Sequence, residues 1–188
     1  LHLCHHNLET IDTKSTTSDT LLLEVCMAAK YEGNSIDTHY TPYQQKYKDT
    51  GTASQLCTVL ARSFADIGDI VRGKDLFYGN KQEKEKRDEL DKKLKDIFGK
   101  IHNGLDGEAK EHCKDDNGGN FFKLREDWWT AYRSTVWKAL TCDARDNADD
   151  KYFRKTCSND KTETDKKCRC PNGDQVPTYF DYVPQYLR

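Results

Sequence analysis

The chain has 188 residues and a mass of 21.8 kDa, one domain or little more, with 33% charged residues against 35% hydrophobic and a mean hydropathy of -0.96. Lys and Arg number 30 against 32 Asp and Glu, so a net charge of -2 offers no bulk field to draw the chain to nucleic acid or an anionic membrane. An aromatic share of 11%, with only four Pro, argues against wholesale disorder and for a packed core.

Residues 1–14 are a short lead-in with Cys4 and the pair His5-His6. Polar residues 15–19 then precede Leu21, Leu22, Val25, Cys26, Ala28 and Ala29 at helical spacing, and Gly33 is expected to end this helix as a C-cap. Residues 34–50 are polar, Tyr-rich and hold Pro42; they read as a loop with room for a short helix. Ser54 is the expected start of the clearest helix, in which Leu56, Leu60, Phe64, Ile67 and Val71 form a stripe widened by Val59 and Ile70. Gly68 in mid-helix costs about 1 kcal/mol against Ala, so its presence predicts close packing there.

Tyr78-Gly79-Asn80 reads as a turn. In residues 81–101, Leu90, Leu94, Ile97, Phe98 and Ile101 share one face while mixed charges fill the rest, predicting a long helix laced with intrahelical pairs. Lys84, Lys92 and Lys95 are expected on its solvent face. A connector holding Cys113 follows. Residues 121–140 are helical by the spacing of Leu124, Trp128, Tyr132, Thr135 and Ala139, and Trp128, Trp129 and Trp137 are expected in the core. Residues 141–176 carry four Cys and a dense charge mix without periodicity, so they read as a stapled, exposed loop. The aromatic end, residues 176–188, is expected to run on into a further helix. Pattern alone therefore predicts a mainly α fold with long loops.

Eight Cys, at positions 4, 26, 57, 113, 142, 157, 168 and 170, suggest disulfides and an oxidising compartment. The competing reading is zinc on Cys142, Cys157, Cys168 and Cys170, but close CxxC ligand pairs are missing. Spacing alone fixes no connectivity. No apolar run approaches the length of a membrane-spanning helix. With no initiator Met and no signal peptide, the chain is expected to be a piece of something larger whose targeting information lies outside it. Signatures for phosphate-binding loops, dinucleotide binding, zinc proteases and serine hydrolases are all absent. His112 and Cys113 are sequence neighbours, which points their side chains apart in regular structure, and the carboxylates sit in charge-rich faces. No catalytic set, cofactor or metal is therefore expected. The nucleic-acid signatures are missing too, whereas a folded surface could still gather scattered Lys and Arg into a patch for sulfated glycans.

Longer words carry a resemblance. Ala61-Arg62-Ser63-Phe64-Ala65-Asp66-Ile67-Gly68-Asp69-Ile70-Val71-Arg72-Gly73-Lys74-Asp75-Leu76 resembles the signature helix of Duffy-binding-like domains. The likeness extends to Leu124-Arg125-Glu126-Asp127-Trp128-Trp129, to Val136-Trp137-Lys138-Ala139-Leu140-Thr141-Cys142 and to Pro177-Thr178-Tyr179-Phe180-Asp181-Tyr182-Val183-Pro184-Gln185-Tyr186-Leu187-Arg188. Leu1-His2-Leu3-Cys4 and Leu22-Leu23-Glu24-Val25-Cys26-Met27-Ala28-Ala29-Lys30-Tyr31-Glu32-Gly33 also look like the family. Within it the chain is most similar to the α class of erythrocyte membrane protein 1 of Plasmodium falciparum, with residues 101–120 and 143–175 diverging as hypervariable stretches would.

The resemblance implies a disulfide-linked helical fold of three subdomains. Residues 1–14 would end the first, residues 15–188 would form most of the second, and the third would be absent. It implies a non-enzymatic cell-adhesion module of a variant surface antigen. Display would be on the extracellular face of the infected erythrocyte, anchored by a membrane segment outside this chain. The implied partners are a host-cell receptor, a sulfated or blood-group glycan such as heparan sulfate in rosetting, other domains of the antigen, and antibodies. The alternative is an antigenic or structural portion whose receptor site lies on other subdomains. The family also suggests a Cys26–Cys57 bridge. Candidate receptor contacts are Lys84, Lys92 and Lys95, with Lys151, Arg154, Lys155, Lys166, Lys167 and Arg169 in the loop. For Arg62, Asp66, Asp69 and Arg72, at i, i+4, i+7 and i+10, ion pairs that hold the helices together are expected.

Overall fold

The computed structural model describes residues 17–47, 56–76, 80–114, 118–143, 152–173 and 175–188, with side chains of the first stretch described to His39. Helices α1 (Ser18–Tyr47), α2 (Leu56–Arg72), α3 (Lys81–Gly104), α4 (Gly107–His112) and α5 (Phe122–Leu140) follow in chain order, then three 3-10 turns at Lys166–Cys168, Phe180–Tyr182 and Gln185–Leu187. The expected mainly α architecture is what folds, and among the described residues the strand content is one isolated bridge, Cys157 to Thr162.

Helix α2 is the centre. It is buried nearly all round, with Leu56, Leu60, Phe64, Ile67 and Val71 inside. Phe64 meets Trp129 and Trp137 of α5 at ring-centroid distances of 5.1 and 5.2 Å. A Cβ added at Gly68 would lie 2.8 Å from the Trp129 ring, so this glycine lets an indole lie against the α2 backbone, as the sequence predicts. Helix α3 starts on a capping box, Asn80 with Glu83, and buries Leu90, Leu94, Ile97 and Phe98 on one face. Phe98 meets Trp128 edge-on at 6.0 Å.

Helix α1 departs from expectation. It runs straight through Gly33 and Pro42 to Tyr47 rather than stopping at residue 33. The apolar period continues past Gly33 to the buried Ile36. A Cβ at Gly33 would lie 1.9 Å from the Leu140 carbonyl oxygen, so the glycine serves a close helix crossing and not a cap. Pro42 removes one i→i−4 donor, a loss this long helix absorbs. The expected start at Ser54, the lead-in 1–14 and Tyr78-Gly79 lie outside the described residues.

Sulfur pairing also differs. Cys57 is bridged to Cys168 (S–S 2.02 Å, Cα–Cα 5.4 Å), not to Cys26, and Cys157 is bridged to Cys170. The reason is placement. Cys57 points from the first turn of α2 into the core beneath residues 166–170, where Cys168 meets it, while Cys26 lies half-buried at the edge of the core on α1. Bridging also places Cys157, Cys168 and Cys170 in disulfides, against the zinc reading. Among the described residues no helix is long and apolar enough to cross a membrane.

Candidate functional site

The C-terminal strap is fastened to α2 and α5 through one buried carboxylate. Asp181 is 1% exposed and accepts hydrogen bonds from Trp129 Nε1 at 2.9 Å and from Arg133 Nε and a terminal nitrogen at 2.8 Å each. Arg72 donates to the Gly68 carbonyl at 3.0 Å, to Asp69 at 2.9 Å and to the Asp181 backbone oxygen, and lies 3.6 Å from Glu126. Arg188 pairs with Asp66 at 3.3 Å and with Asp69. Thus Asp66, Asp69 and Arg72 do hold elements together, while Arg62 is exposed. Burial pushes the Asp66 carboxyl up, against the pull of Arg188.

A second fastening joins α2, α3 and α5. Arg125, fully buried, donates to the Val71 and Ile70 carbonyls at 2.6 and 3.1 Å and to Asp91 at 3.0 Å. Lys95 pairs with the other Asp91 oxygen at 2.8 Å. Partial burial alone would raise the Asp91 carboxyl. The Lys95 hydrogen bond and the Arg125 charge outweigh it and hold the carboxyl below its ordinary range.

These contacts sort the candidate cations. Lys84 and Lys92 are exposed on α3, whereas Lys95 is engaged by Asp91. In the loop, Arg154, Lys155 and Lys166 are exposed, with the Arg154 guanidinium 4.9 Å over the half-exposed Phe153 ring. Lys167 donates to the Cys142 carbonyl at 3.0 Å, and Arg169 donates to Thr141 Oγ1 at 2.9 Å and to the Lys138 carbonyl at 2.6 Å. Those two act as ties between the loop and the end of α5. Lys151 lies outside the described residues. Arg125, beside α3, and Thr141, at the loop, are separated by about 24 Å of helix at 1.5 Å per residue. Lys95, through Asp91 and Arg125, and Arg169, through Thr141, are thus held toward opposite ends of α5.

An exposed aromatic surface went unnoticed in the sequence as a site. Tyr179, Tyr182, Tyr186 and Leu187 of the strap are each about half exposed or more, with Leu76 beside them. The Arg133 guanidinium lies 5.2 and 5.7 Å from the ring centroids of Tyr182 and Tyr179 and 5.6 Å from that of Phe64. A cleft of about 350 Å3 runs between Leu76, Tyr182, Val183 and Pro184. The available signal was the density of Tyr in residues 176–188.

Nucleophilic chemistry finds no support at Cys113. Burial and the neighbouring Asp127 carboxylate, whose oxygen lies 3.8 Å from Sγ, push its thiol up and keep it protonated. Among the described residues no group of three or more His, Cys, Asp or Glu is arranged to hold a metal ion.

Comparison with known proteins places this geometry. The model of the Duffy binding domain matches residues 1–188. The chain is 45% identical, over 99% of its length, to a solved NTS-DBL1-alpha and CIDR-gamma double domain of PfEMP1 from the Plasmodium falciparum varO strain, with a TM-score of 0.75. The NTS-DBL1(alpha-1) domain from the same strain is 44% identical over 99%, with a TM-score of 0.73. An ICAM-1-binding DBLbeta domain of PfEMP1 is 29% identical over 100%, with a TM-score of 0.68. The chain spans only 25%, 40% and 39% of those three solved chains. No curated protein matches it.

Proposed function

The chain belongs to the Duffy binding domain family, and on that premise we propose that it is part of an adhesion module that presents variable loops to a host-cell receptor. The observation that carries this reading is the end-to-end similarity to DBL1-alpha of PfEMP1, joined to a core whose buried arginines and Trp rings are committed to scaffold. In the longer protein, residues 15–188 form most of the second subdomain and residues 1–14 the end of the first. The module is displayed on the infected erythrocyte surface and acts by binding, not by catalysis. Its partners are a host receptor or a sulfated or blood-group glycan, the other domains of the antigen, and antibodies.

Within that reading the loop cations Arg154, Lys155 and Lys166 are favoured over the α3 set. They are exposed beside Phe153, a combination suited to an anionic sugar. Heparin binding of this chain over a salt series tests it. Affinity should fall steeply with salt, and Arg154→Glu with Lys155→Glu and Lys166→Glu should weaken it about tenfold or more and flatten the slope. The alternative, a receptor site on other subdomains, is favoured by the engagement of Lys95, Lys167 and Arg169 in internal contacts. Absence of heparin and erythrocyte binding by this chain at low salt selects that alternative.

A further inference from the structure

Two clefts flank the segment Gly73–Leu76, which leaves the end of α2. One, of about 250 Å3, opens between this segment and α3, beside Ile70 and Leu90. The other is the cleft of about 350 Å3 beside Tyr182 and Pro184 of the strap. Half-exposed Leu76 lines both, so a ligand that fills one can continue over its side chain into the other.

The fixed charges along the clefts cancel. On the α3 side Arg87 pairs with Asp75 at 2.9 Å, and Asp91 is held by Arg125 and Lys95. On the strap side Asp69 pairs with Arg72 at 2.9 Å and with Arg188, Asp181 pairs with Arg133 at 2.8 Å, and Lys74 pairs with Glu126. That leaves Lys84 and Asp88, both exposed where they line the α3 cleft, and among the described residues neither has an ion-pair partner. At i and i+4 with the cation first, they stand in the less favourable order for pairing with each other. One cationic donor and one anionic acceptor are thus left to a ligand.

We propose that the two clefts together take an uncharged sugar chain, a site separate from the loop cations and one that rests on the adhesion reading above. A ligand without net charge suits a surface on which every fixed charge is balanced, whereas a sulfated chain would meet as many carboxylates as cations there. Sugar hydroxyls both donate and accept, so they can engage the Lys84 ammonium and the Asp88 carboxylate at once. The apolar C–H faces of the sugar rings fit Leu76 and the exposed part of the Tyr182 ring, which the Arg72 and Arg133 guanidiniums already hold in place at 5.5 and 5.2 Å. An extended peptide is a poorer fit. The amides of Gly73, Lys74 and Leu76 already donate to the Ile70 carbonyl, the Asp69 carbonyl and the Gln185 side chain, so the wall between the clefts has few backbone groups left to pair with a strand.

Binding of the intact chain to an array of uncharged mammalian oligosaccharides, with heparin fragments alongside, tests the proposal. At least one uncharged sugar should be retained, with an affinity that changes less than about twofold between roughly 0.05 and 0.5 M salt, whereas heparin binding falls steeply over that range. Asp88→Ala and Lys84→Ala, at exposed positions that leave the core and the thermal melt unchanged, should each weaken that sugar about tenfold. Asp88→Ala should at the same time leave heparin binding equal or stronger, because it removes a carboxylate. The reversals at Arg154, Lys155 and Lys166 should leave the uncharged sugar bound as before. No uncharged sugar retained at low salt overturns the proposal, and so does a retained sugar that neither substitution weakens. Either result leaves the adhesion reading standing while heparin or erythrocytes are still bound. Loss of all three removes the receptor site from this chain as a whole, and the proposal with it.

Discussion

Asp181 shows how much one side chain can organise. Its carboxylate is buried and accepts from an indole and a guanidinium, so neutralising it leaves Arg133 with a broken pair. Asp181→Asn should cost about 3–5 kcal/mol in denaturant unfolding, the penalty for breaking a buried ion pair from one side. Gly68→Ala poses opposing effects. Helix propensity favours Ala by about 1 kcal/mol, but the new methyl meets an indole that has no room to retreat, since Trp129 is 0% exposed. Overpacking should win, with a net loss of about 1–3 kcal/mol by the same measurement. Asp91 carries a pH effect. Its carboxyl is held below the ordinary value, so its stabilising contribution is present above that value and lost as pH falls through the folded one. Thermal melts between about pH 5 and pH 2 should therefore show a shallower acid loss for Asp91→Asn than for the parent chain. Asp66, held up by burial, works in the opposite direction, since protonation relieves it.

At the scale of elements, periodicity located the cores of α2, α3 and α5 because their buried faces repeat at helical spacing. It failed at α1 because Gly33 and Pro42 are local stop signals, while the Leu140 carbonyl that makes use of Gly33 comes from a helix more than a hundred residues away in sequence. Disulfide connectivity was hidden for the same reason: the partner of Cys57 is 111 residues distant. Closing so long a loop should stabilise by about 4–5 kcal/mol, against about 3 for the 13-residue separation of Cys157 and Cys170. Cys57→Ser with Cys168→Ser should then lower the global unfolding free energy markedly. Cys157→Ser with Cys170→Ser should act mainly on hydrogen exchange within residues 152–173. Candidate cations were legible as residue types, but not their engagements; only the fold reveals that Lys167 and Arg169 tie the loop to α5.

For the whole molecule, the family was readable because long words run along α2, α5 and the strap, whose buried members, among them Phe64, Trp129 and Asp181, pack on one another. Which exposed residues would face a partner was not, since exposure and engagement depend on the fold. The separation of the α3 and loop cations along α5 has a measurable result. Charge reversals at Lys92 and at Arg154 should add independently in heparin affinity, within about 0.5 kcal/mol in a double-mutant cycle. A larger coupling would mean that one ligand bridges both ends.

The Cys57–Cys168 bond also sets how the molecule carries mechanical load. A pull on the loop at residues 158–166 need not travel along the backbone through α3, α4 and α5. It passes across a few covalent bonds into the first turn of α2, the most deeply embedded helix. The loop thus has a covalent anchor on that helix and a second hold at the buried Thr164, whose hydroxyl accepts the Tyr152 amide.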